Sequence, residues 1–254
     1  MCAGSNPAEG AIRIASLPDD VAAVSAALHH GLAGTLAENF ASLFLYGAVA
    51  FDRPEGWRID FDSHVLLHRT LDDAQRRAIA ELYAELAEAS ELGADLDGYY
   101  VLLSDAVRSE PPRHQLDLTV YDNSWALHRA HVLAGRYFLV AGIDPKHIVP
   151  EPTWLELEAA LRGELEFVES HPDAAAFGIL NGARILFSTQ THDVVVSKYQ
   201  AGQWALERLP REWHEGLHAA LRFYARTSRD DDARIVEDCR APFVEYVRRS
   251  IPLT

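Results

Sequence analysis

The sequence predicts an α+β protein, in which a mixed sheet flanked by helices is followed by an all-helical bundle. Up to about residue 150, short apolar runs typical of strands alternate with longer segments of helical periodicity. After the proline-containing residues 149–152, every segment has helical periodicity and none alternates like a strand. We therefore expect two domains, residues 1–150 and 151–254, with residues 1–17 as a loose polar arm.

The elements of the first domain follow from the spacing of apolar residues and from the turn formers between them. Helices are expected where apolar residues recur every three or four positions, and strands where short apolar runs end at Gly, Pro or Asn. The predicted helices cover residues 19–39, 72–90 and 124–137. The predicted strands cover residues 42–46, 59–67, 98–103 and 115–121.

The second domain begins with a capping box, because Thr153 is followed three residues later by Glu156. After this first helix, apolar periodicity and polar breaks indicate four more. They are expected near residues 172–190, 195–207, 211–227 and 230–249.

Composition limits the partners. The chain has 38 acidic and 23 basic residues and a formal net charge of −15, which repels nucleic acid and attracts cations. A cationic small molecule is a plausible ligand, although acidity alone also keeps a protein soluble. Two cysteines, Cys2 and Cys239, form no disulfide framework, and the apolar runs are about half the roughly 20 residues of a membrane span. We expect a cytoplasmic protein that binds no membrane; its oligomeric state does not follow from the sequence.

One predicted strand carries two acidic residues on one face. Asp60 and Asp62 are two positions apart, so both side chains point away from the apolar face of the strand. Carboxylates held this close repel one another unless a cation lies between them, and hard oxygen ligands favour Mg²⁺. The alternative from the residues alone is a pair of solubilising side chains on an edge strand.

Two further features point to phosphate chemistry. Gly47 follows a strand and precedes Ala48, so its backbone N–H groups can approach an anion closely. In the predicted strand 115–121, alternation turns Asp117 away from the apolar side. If this strand pairs with the acidic strand, three carboxylates meet at one sheet edge, and the third can accept a proton from an attacking hydroxyl. Otherwise Asp117 is an exposed strand residue.

The arrangement of Gly47-Ala48 before Asp60-Phe61-Asp62 resembles the Gly-Ser and Asp-x-Asp signature of the nucleotidyltransferase superfamily. Residues 181–210, NGARILFSTQTHDVVVSKYQAGQWALERLP, are similar to the helical domain of the aminoglycoside 3''- and 9-adenylyltransferases, the streptomycin and spectinomycin adenylyltransferases. The run FVEYVRRSI near the C-terminus, LDDAQRRAIAEL and HQLDLTV lie at matching spacings. The resemblance covers about residues 40–250.

This resemblance implies an enzyme that transfers AMP from ATP to a hydroxyl of an aminoglycoside-like or aminocyclitol-like acceptor. It implies that Asp60 and Asp62 bind Mg²⁺ and that Asp117 is the catalytic base. Lys198 and Tyr224 would bind the nucleotide together with the Gly47-Ala48 turn. Lys198 is the only lysine of the second part, and a Tyr presents both a ring and a hydroxyl.

Departures from the family pattern motivate a second hypothesis. Ala48 and Ile59 replace serines of the pattern, and Asp117 is shorter than the usual Glu. A catalytically degenerate protein that binds nucleotide or a cation is therefore the alternative. Streptomycin-modifying members carry acidic residues at positions that are filled here by His171 and Ala175, with Asp173 between them. The tryptophan that binds the substrate in those members corresponds to Trp125 only with a shift in alignment.

Residues 214–218 read HEGLH, the H-E-x-x-H pattern in which two histidines bind zinc and the Glu activates water. A zinc hydrolase is thus a third hypothesis, with Glu237 as a conjectured additional ligand. Twelve histidines make a chance match easy, and the segment aligns with an ordinary surface helix of the adenylyltransferases. The pairs His64 with His68 and His128 with His131 are interpreted as satisfied surface or core histidines. A role of His64 in shaping the metal site, two positions after Asp62, is the alternative.

Overall fold

A computed structural model describes residues 17–251, so nearly all of the expected arm lies outside the described residues. Contacts between Cα atoms divide the chain into two compact units. The N-terminal unit holds the described residues up to Ala50 together with Ile59–Glu151. The helical unit holds Phe51–Arg58 and the described residues from Pro152 onward. A short segment from the first half of the sequence therefore packs with the C-terminal helices.

The N-terminal unit contains a four-stranded mixed sheet. Its strands are β1 (Phe40–Tyr46), β2 (Phe61–Leu67), β3 (Leu96–Leu102) and β4 (Phe138–Gly142). The strand order is β3-β2-β1-β4. β1 runs antiparallel to both of its neighbours, whereas β2 and β3 are parallel. The predicted α+β class with a mixed sheet is confirmed.

Five helices accompany this sheet in the described part of the chain. They are α1 (Asp19–Leu36), α2 (Asp73–Ala89), α3 (Glu91–Ala94), α4 (Leu103–Ala106) and α5 (Trp125–Leu133). α2 starts where it does because the Asp72 side chain accepts a hydrogen bond from the Gln75 N–H while the Gln75 side chain accepts one from the Asp72 N–H. Short 3₁₀ turns follow α1 and β1 and precede residue 148.

The sheet buries both faces, and each face has its own core. On one face, apolar residues of α1 and α2 pack against inward side chains of the strands, such as Leu43 and Val65. On the other face, Trp125 and Val132 of α5 pack against Phe44 and neighbouring strand residues. Since side chains alternate between faces, the face covered by α5 is the one that carries Asp62 and His64.

Two sequence predictions in this unit are wrong. Residues 115–121 are not a strand, because the segment turns at Asp117–Val120 and leaves Leu118 and Val120 exposed. The predicted helix 124–137 ends at Leu133, where Gly135 adopts a left-handed backbone conformation with φ +75°. The chain then forms β4, which occupies the free edge of β1.

The helical unit contains five α-helices among the described residues: α6 (Trp154–Ser170), α7 (Ala175–Thr191), α8 (Lys198–Arg208), α9 (His214–Tyr224) and α10 (Asp232–Ser250). The predicted helical bundle is confirmed. α7 is its centre, because it is buried along most of its length and contacts the other four helices. Thr153 and Glu156 form the predicted capping box of α6. Within residues 17–251, no helix has the length and apolar character needed to cross a membrane.

A buried ion pair joins α9 to α10. The guanidinium of Arg222 donates two hydrogen bonds to the carboxylate of Asp232, and the Arg229 N–H donates a third at 2.8 Å. Asp232 is 1% exposed, so its charge depends on these donors. The hydrogen bonds from Arg222 lower the pKa of Asp232 to about 2.

We predict that this carboxylate makes the stability of the protein sensitive to acid. A depressed folded-state pKa contributes stability at pH values above the ordinary pKa of 3.8, and that contribution is lost as the pH falls towards about 2. The difference in unfolding free energy between wild type and Asp232→Asn should therefore be largest at neutral pH and shrink between these values. Urea unfolding at several pH values measures it; a difference that does not change with pH would contradict the assignment.

Candidate active site

The two parallel strands place two carboxylates side by side. Asp62 of β2 is the register partner of Asp97 of β3. Register partners in adjacent strands lie ~4.8 Å apart and point to the same face of the sheet. Asp62 is half-buried and Asp97 is exposed, so the pair lies at the accessible edge of this face. Asp97 was not identified from the sequence.

Gly47 leaves the space that the Asp62 carboxylate occupies. The residue follows β1 directly and has a left-handed φ of +70°. A Cβ atom at this position would lie 2.2 Å from Oδ2 of Asp62, far inside the contact distance of real Cβ atoms. Residues Gly47–Ala50 then form a 3₁₀ turn. The predicted glycine turn therefore lies directly against one of the predicted metal ligands, with Ala48 as its second residue.

Asp60 lies just before the sheet rather than in it. β2 begins at Phe61, and the ladder with β3 also begins there. Asp60 is half-buried and precedes Asp62 by two residues, which gives it the same orientation if the extended backbone continues. Strand pairing fixes the position of Asp62, whereas the position of Asp60 depends on the segment that enters β2.

Asp117 differs from its predicted setting. It is exposed and caps a turn, in which its Oδ1 accepts hydrogen bonds from the N–H of Thr119 at 2.9 Å and from the Thr119 hydroxyl at 2.6 Å. These hydrogen bonds lower the pKa of Asp117, which weakens it as a base. The strand that was expected to carry it beside Asp62 does not exist, so pairing does not bring these residues together.

Asp117 nevertheless lies in the same acidic neighbourhood. Burial raises the pKa of Tyr99, and the negative charges of Asp122, Asp97 and Asp117 raise it further. Tyr99 is one pleat away from Asp97 on the same face of β3. Asp97 and Asp117 both lie near Tyr99, and Asp97 is the one that strand pairing positions beside Asp62.

The signal for Asp97 was present in the sequence. In LDGYYVL, Asp97 stands at the second position of a run of strand-forming residues, as Asp62 does in FDSHVLL. Because glycine weakens the interior of a strand, Gly98 is expected at the strand's end, which puts the predicted start of the strand one residue after Asp97. In the structure, a Cβ on Gly98 would lie 1.8 Å from the hydroxyl of Tyr83, so the glycine provides space for a side chain of α2.

In the helical unit, Lys198 and Tyr224 lie together, as one site requires. The ammonium of Lys198 lies 4.7 Å from the ring centre of Phe177 and 5.1 Å from that of Tyr224, and 3.4 Å from the Tyr224 hydroxyl oxygen. Lys198 is the first residue of α8, where the helix dipole is positive. The charge of Lys198 and the N-terminal end of the helix both favour an anion at this position.

Trp57 completes this aromatic group and was not identified from the sequence. Its ring centre lies 5.5 Å from that of Tyr224 and 5.3 Å from that of Tyr199. The N–H of Arg58 donates a hydrogen bond to the Tyr224 carbonyl at 2.7 Å. The segment Phe51–Arg58 is therefore fixed to α9 only a few residues before Asp60 in the chain.

The predicted acceptor-binding residues fall into two groups. Trp125 is 1% exposed and its indole N–H donates to the Arg108 carbonyl, so it is a core residue and cannot stack on a substrate. That prediction is corrected. His171 and Asp173 are exposed in the loop between α6 and α7, and His171 stacks on Phe167 with ring centres 4.0 Å apart. Both remain accessible to a ligand.

The zinc-peptidase alternative finds no support. Nε2 of His214 lies 3.1 Å from the Leu209 carbonyl oxygen, while Glu215 and His218 are exposed on α9. Among the described residues, the group of three or more metal-binding side chains that converges is a different one. It consists of His64, Asp122 and His128.

The cluster of His64, Asp122 and His128 lies beneath the acidic edge. His64 is two residues after Asp62 and is fully buried. Burial lowers its pKa, against the opposing hydrogen bond with Asp122. Burial also disfavours the charged form of Asp122, but the charges and hydrogen bonds of His128 and His64 prevail and lower the pKa of Asp122. The carboxylate is therefore ionised and held by two imidazoles.

Comparison with known proteins identifies the helical unit. Residues 156–249 match the family model described as "Aminoglycoside adenylyltransferase, C-terminal domain". Residues 156–249 therefore resemble the C-terminal domain of aminoglycoside adenylyltransferases. The family resemblance in the sequence is thereby confirmed, and with it the prediction of a nucleotidyltransferase enzyme. No curated protein matches the chain in sequence.

A solved structure extends the fold comparison to most of the chain. The chain is similar to a crystal structure of spectinomycin adenyltransferase AAD(9) from Enterococcus faecialis with ATP and spectinomycin. The TM-score is 0.69 at 14% sequence identity, and the match covers 89% of this chain and 98% of that one. At this identity, the similarity establishes a common fold.

We predict that Gly47→Ala damages this site. The left-handed backbone disfavours any residue with a Cβ by about 1–3 kcal/mol, and the new methyl group must also displace the Asp62 carboxylate. Gly34→Ala is the matched control, because Gly34 is helical and a Cβ there would contact nothing within 4 Å. Thermal unfolding should show a loss for Gly47→Ala and no loss for Gly34→Ala. Equal melting temperatures for the two variants would contradict the geometry.

Proposed function

We propose that the protein transfers AMP from ATP to a hydroxyl group of an aminoglycoside-like or aminocyclitol-like molecule, in a Mg²⁺-dependent reaction. The pairing of Asp62 with Asp97 beside the Gly47 turn carries this proposal. The similar crystal structure contains ATP and spectinomycin, which supports both the donor and the acceptor class. ATP as the donor also agrees with the cytoplasmic location expected from the sequence.

Asp60 and Asp62 would hold the Mg²⁺ ion. Both offer hard oxygen ligands near the turn at Gly47, and the close contact of the Asp62 carboxylate with Gly47 keeps that ligand in place. A bound Mg²⁺ would neutralise charge on the phosphates as the bond to the leaving group breaks. Ala48 retains a backbone N–H for a phosphate oxygen although it lacks the serine hydroxyl of the family pattern.

Asp97 is the base in this proposal, in place of Asp117. Its carboxylate accepts the proton of the acceptor hydroxyl, whose oxygen forms a new bond to the α-phosphorus of ATP. The bond between the α-phosphorus and the bridging oxygen breaks, and pyrophosphate leaves. Asp97 suits this role because it is exposed and next to Asp62, whereas the carboxylate of Asp117 already accepts hydrogen bonds from Thr119.

Lys198 and Tyr224 would bind the nucleotide. The ammonium of Lys198 supplies a positive charge for phosphate oxygens, and it lies over the Phe177 and Tyr224 rings. His171 and Asp173 are candidates for contact with the acceptor. The net charge of −15 favours the approach of a cationic molecule such as an aminoglycoside.

We predict that Asp97→Asn lowers kcat for AMP transfer by a factor of about 10² to 10⁴, because the amide cannot take a proton. MgATP binding should persist, since the substitution conserves shape and leaves Asp60 and Asp62 intact. The measurement is pyrophosphate release from ATP with a panel of aminoglycosides and aminocyclitols, with calorimetry for binding. Asp117→Asn is the control and should retain most of the activity.

The same assay decides between the remaining interpretations. If Asp117→Asn loses activity and Asp97→Asn keeps it, the turn residue is the base and our assignment is wrong. If wild-type protein binds MgATP but yields no AMP adduct with any acceptor, the degenerate-binder hypothesis is correct. An AMP adduct on any compound of the panel excludes that hypothesis.

We predict that Lys198→Met raises KM for MgATP by about 10- to 100-fold, the usual effect of removing a charged hydrogen-bond donor. Lys146→Met is a matched control, because Lys146 and Lys198 are the only lysines of the sequence and Lys146 lies in a 3₁₀ turn of the N-terminal unit. Steady-state kinetics with varied ATP measures both. An equal effect of the two substitutions would mean that net charge, not a specific contact, is responsible.

A further inference from the structure

Three donor atoms converge beneath the acidic edge of the sheet. Nε2 of His64 lies 3.2 Å from Oδ2 of Asp122, and Nδ1 of His128 lies 2.9 Å from the same oxygen. The three ligand atoms lie within 4.8 Å of one another. They come from β2, from the segment that precedes α5, and from α5 itself.

The surroundings of this cluster are aromatic and closed. The imidazole of His64 stacks on Phe44 with ring centres 5.2 Å apart, and Tyr46 lies 4.6 Å from both imidazoles. The side chains of His64 and Asp122 are 0% and 3% exposed. A carboxylate in such surroundings requires a positive charge nearby.

Asp122 is held so that one oxygen is directed at the two imidazoles. Its Oδ1 accepts a hydrogen bond from the Ser124 N–H at 3.1 Å, which orients the carboxylate at the start of α5. Oδ2 then faces His64 and His128. Two imidazole nitrogens and one carboxylate oxygen form a donor set that suits zinc, whereas Mg²⁺ prefers oxygen ligands alone.

The distances also suit zinc. With bonds of ~2.0–2.2 Å in a tetrahedral arrangement, neighbouring ligand atoms lie ~3.3 Å apart. The two separations of 2.9 and 3.2 Å around Oδ2 differ from this by only a few tenths of an ångström. The side chain of His128 is 17% exposed, so an ion can reach the cluster from that side.

We propose that His64 Nε2, Asp122 Oδ2 and His128 Nδ1 bind one Zn²⁺ ion. This site is separate from the Mg²⁺ ligands proposed at Asp60 and Asp62, and it does not depend on the proposed function. Its effect is structural: the ion ties the start of α5 to β2, the strand that carries Asp62. Zinc binding therefore stabilises the folded N-terminal unit.

The test uses the full chain without an affinity tag, freed of metals by a chelator and kept in saturating Mg²⁺. Zn²⁺ is titrated with metal analysis and thermal unfolding as readouts, and Co²⁺ serves as a spectroscopic probe. We expect one Zn²⁺ per chain, a higher melting temperature with Zn²⁺, and the intense absorption of four-coordinate Co²⁺. His128→Asn should weaken binding at least about tenfold and abolish the Co²⁺ bands.

The control variant is His218→Asn, which removes a histidine of the HEGLH sequence and leaves the cluster intact. It should bind Zn²⁺ like the wild type. Circular dichroism and MgATP binding verify that His128→Asn folds; its partly exposed side chain makes it a milder change than Asp122→Asn. The proposal is overturned if wild-type protein shows no saturable Zn²⁺ binding, which leaves a hydrogen-bonded cluster only. It is also overturned if His218→Asn, rather than His128→Asn, removes the binding.

Discussion

The candidate active site depends on the parallel pairing of β2 with β3, which places the carboxylates of Asp62 and Asp97 next to each other. Two like charges at this separation repel one another unless a cation lies between the two carboxylates or one of them binds a proton. Their position at the accessible edge makes the repulsion tolerable in water. The same position makes both carboxylates available to a substrate. Like charges placed side by side in an accessible position are typical of a functional site.

On the face of the sheet that carries this edge, the paired residues of β2 and β3 change from charged to apolar along the strands. Asp62 and Asp97 form the outermost layer, His64 and Tyr99 are paired in the next, and Leu66 and Val101 are paired in the core. Polar groups thus become fewer towards the interior, and the buried imidazole of His64 pairs with Asp122 through Nε2. A fixed second layer holds the strands that carry the outer carboxylates, as precise catalysis requires.

Much of the fold could be predicted because it follows from local patterns. Most of the long helices, the first two strands and the capping box of α6 depend on residues close in sequence. Non-local features could not be predicted in the same way. Residues 115–121 alternate like a strand and were expected beside the acidic strand β2, yet β1 and β3 are its neighbours. Alternation predicts which residues share a face of a strand, but it does not predict which two segments pair in the sheet.

The candidate site shows the same division. Gly47, Asp60 and Asp62 could be found in one short stretch, while Lys198 and Tyr224 required the family resemblance. Asp97 was missed because the predicted strand began at Gly98, whereas β3 begins at Leu96. Trp57 was missed since nothing local indicates that residues 51–58 pack with the helical unit. His64, Asp122 and His128 converge only through the fold.

The most direct measurement of the central claim is a crystal structure of the protein with Mg²⁺ and a non-hydrolysable ATP analogue. We predict Mg²⁺ on the carboxylates of Asp60 and Asp62, the triphosphate against the Gly47 turn, and the Asp97 carboxylate facing the α-phosphate. Nucleotide bound away from this edge of the sheet, or Asp62 and Asp97 without contact to metal, nucleotide or acceptor, would contradict it.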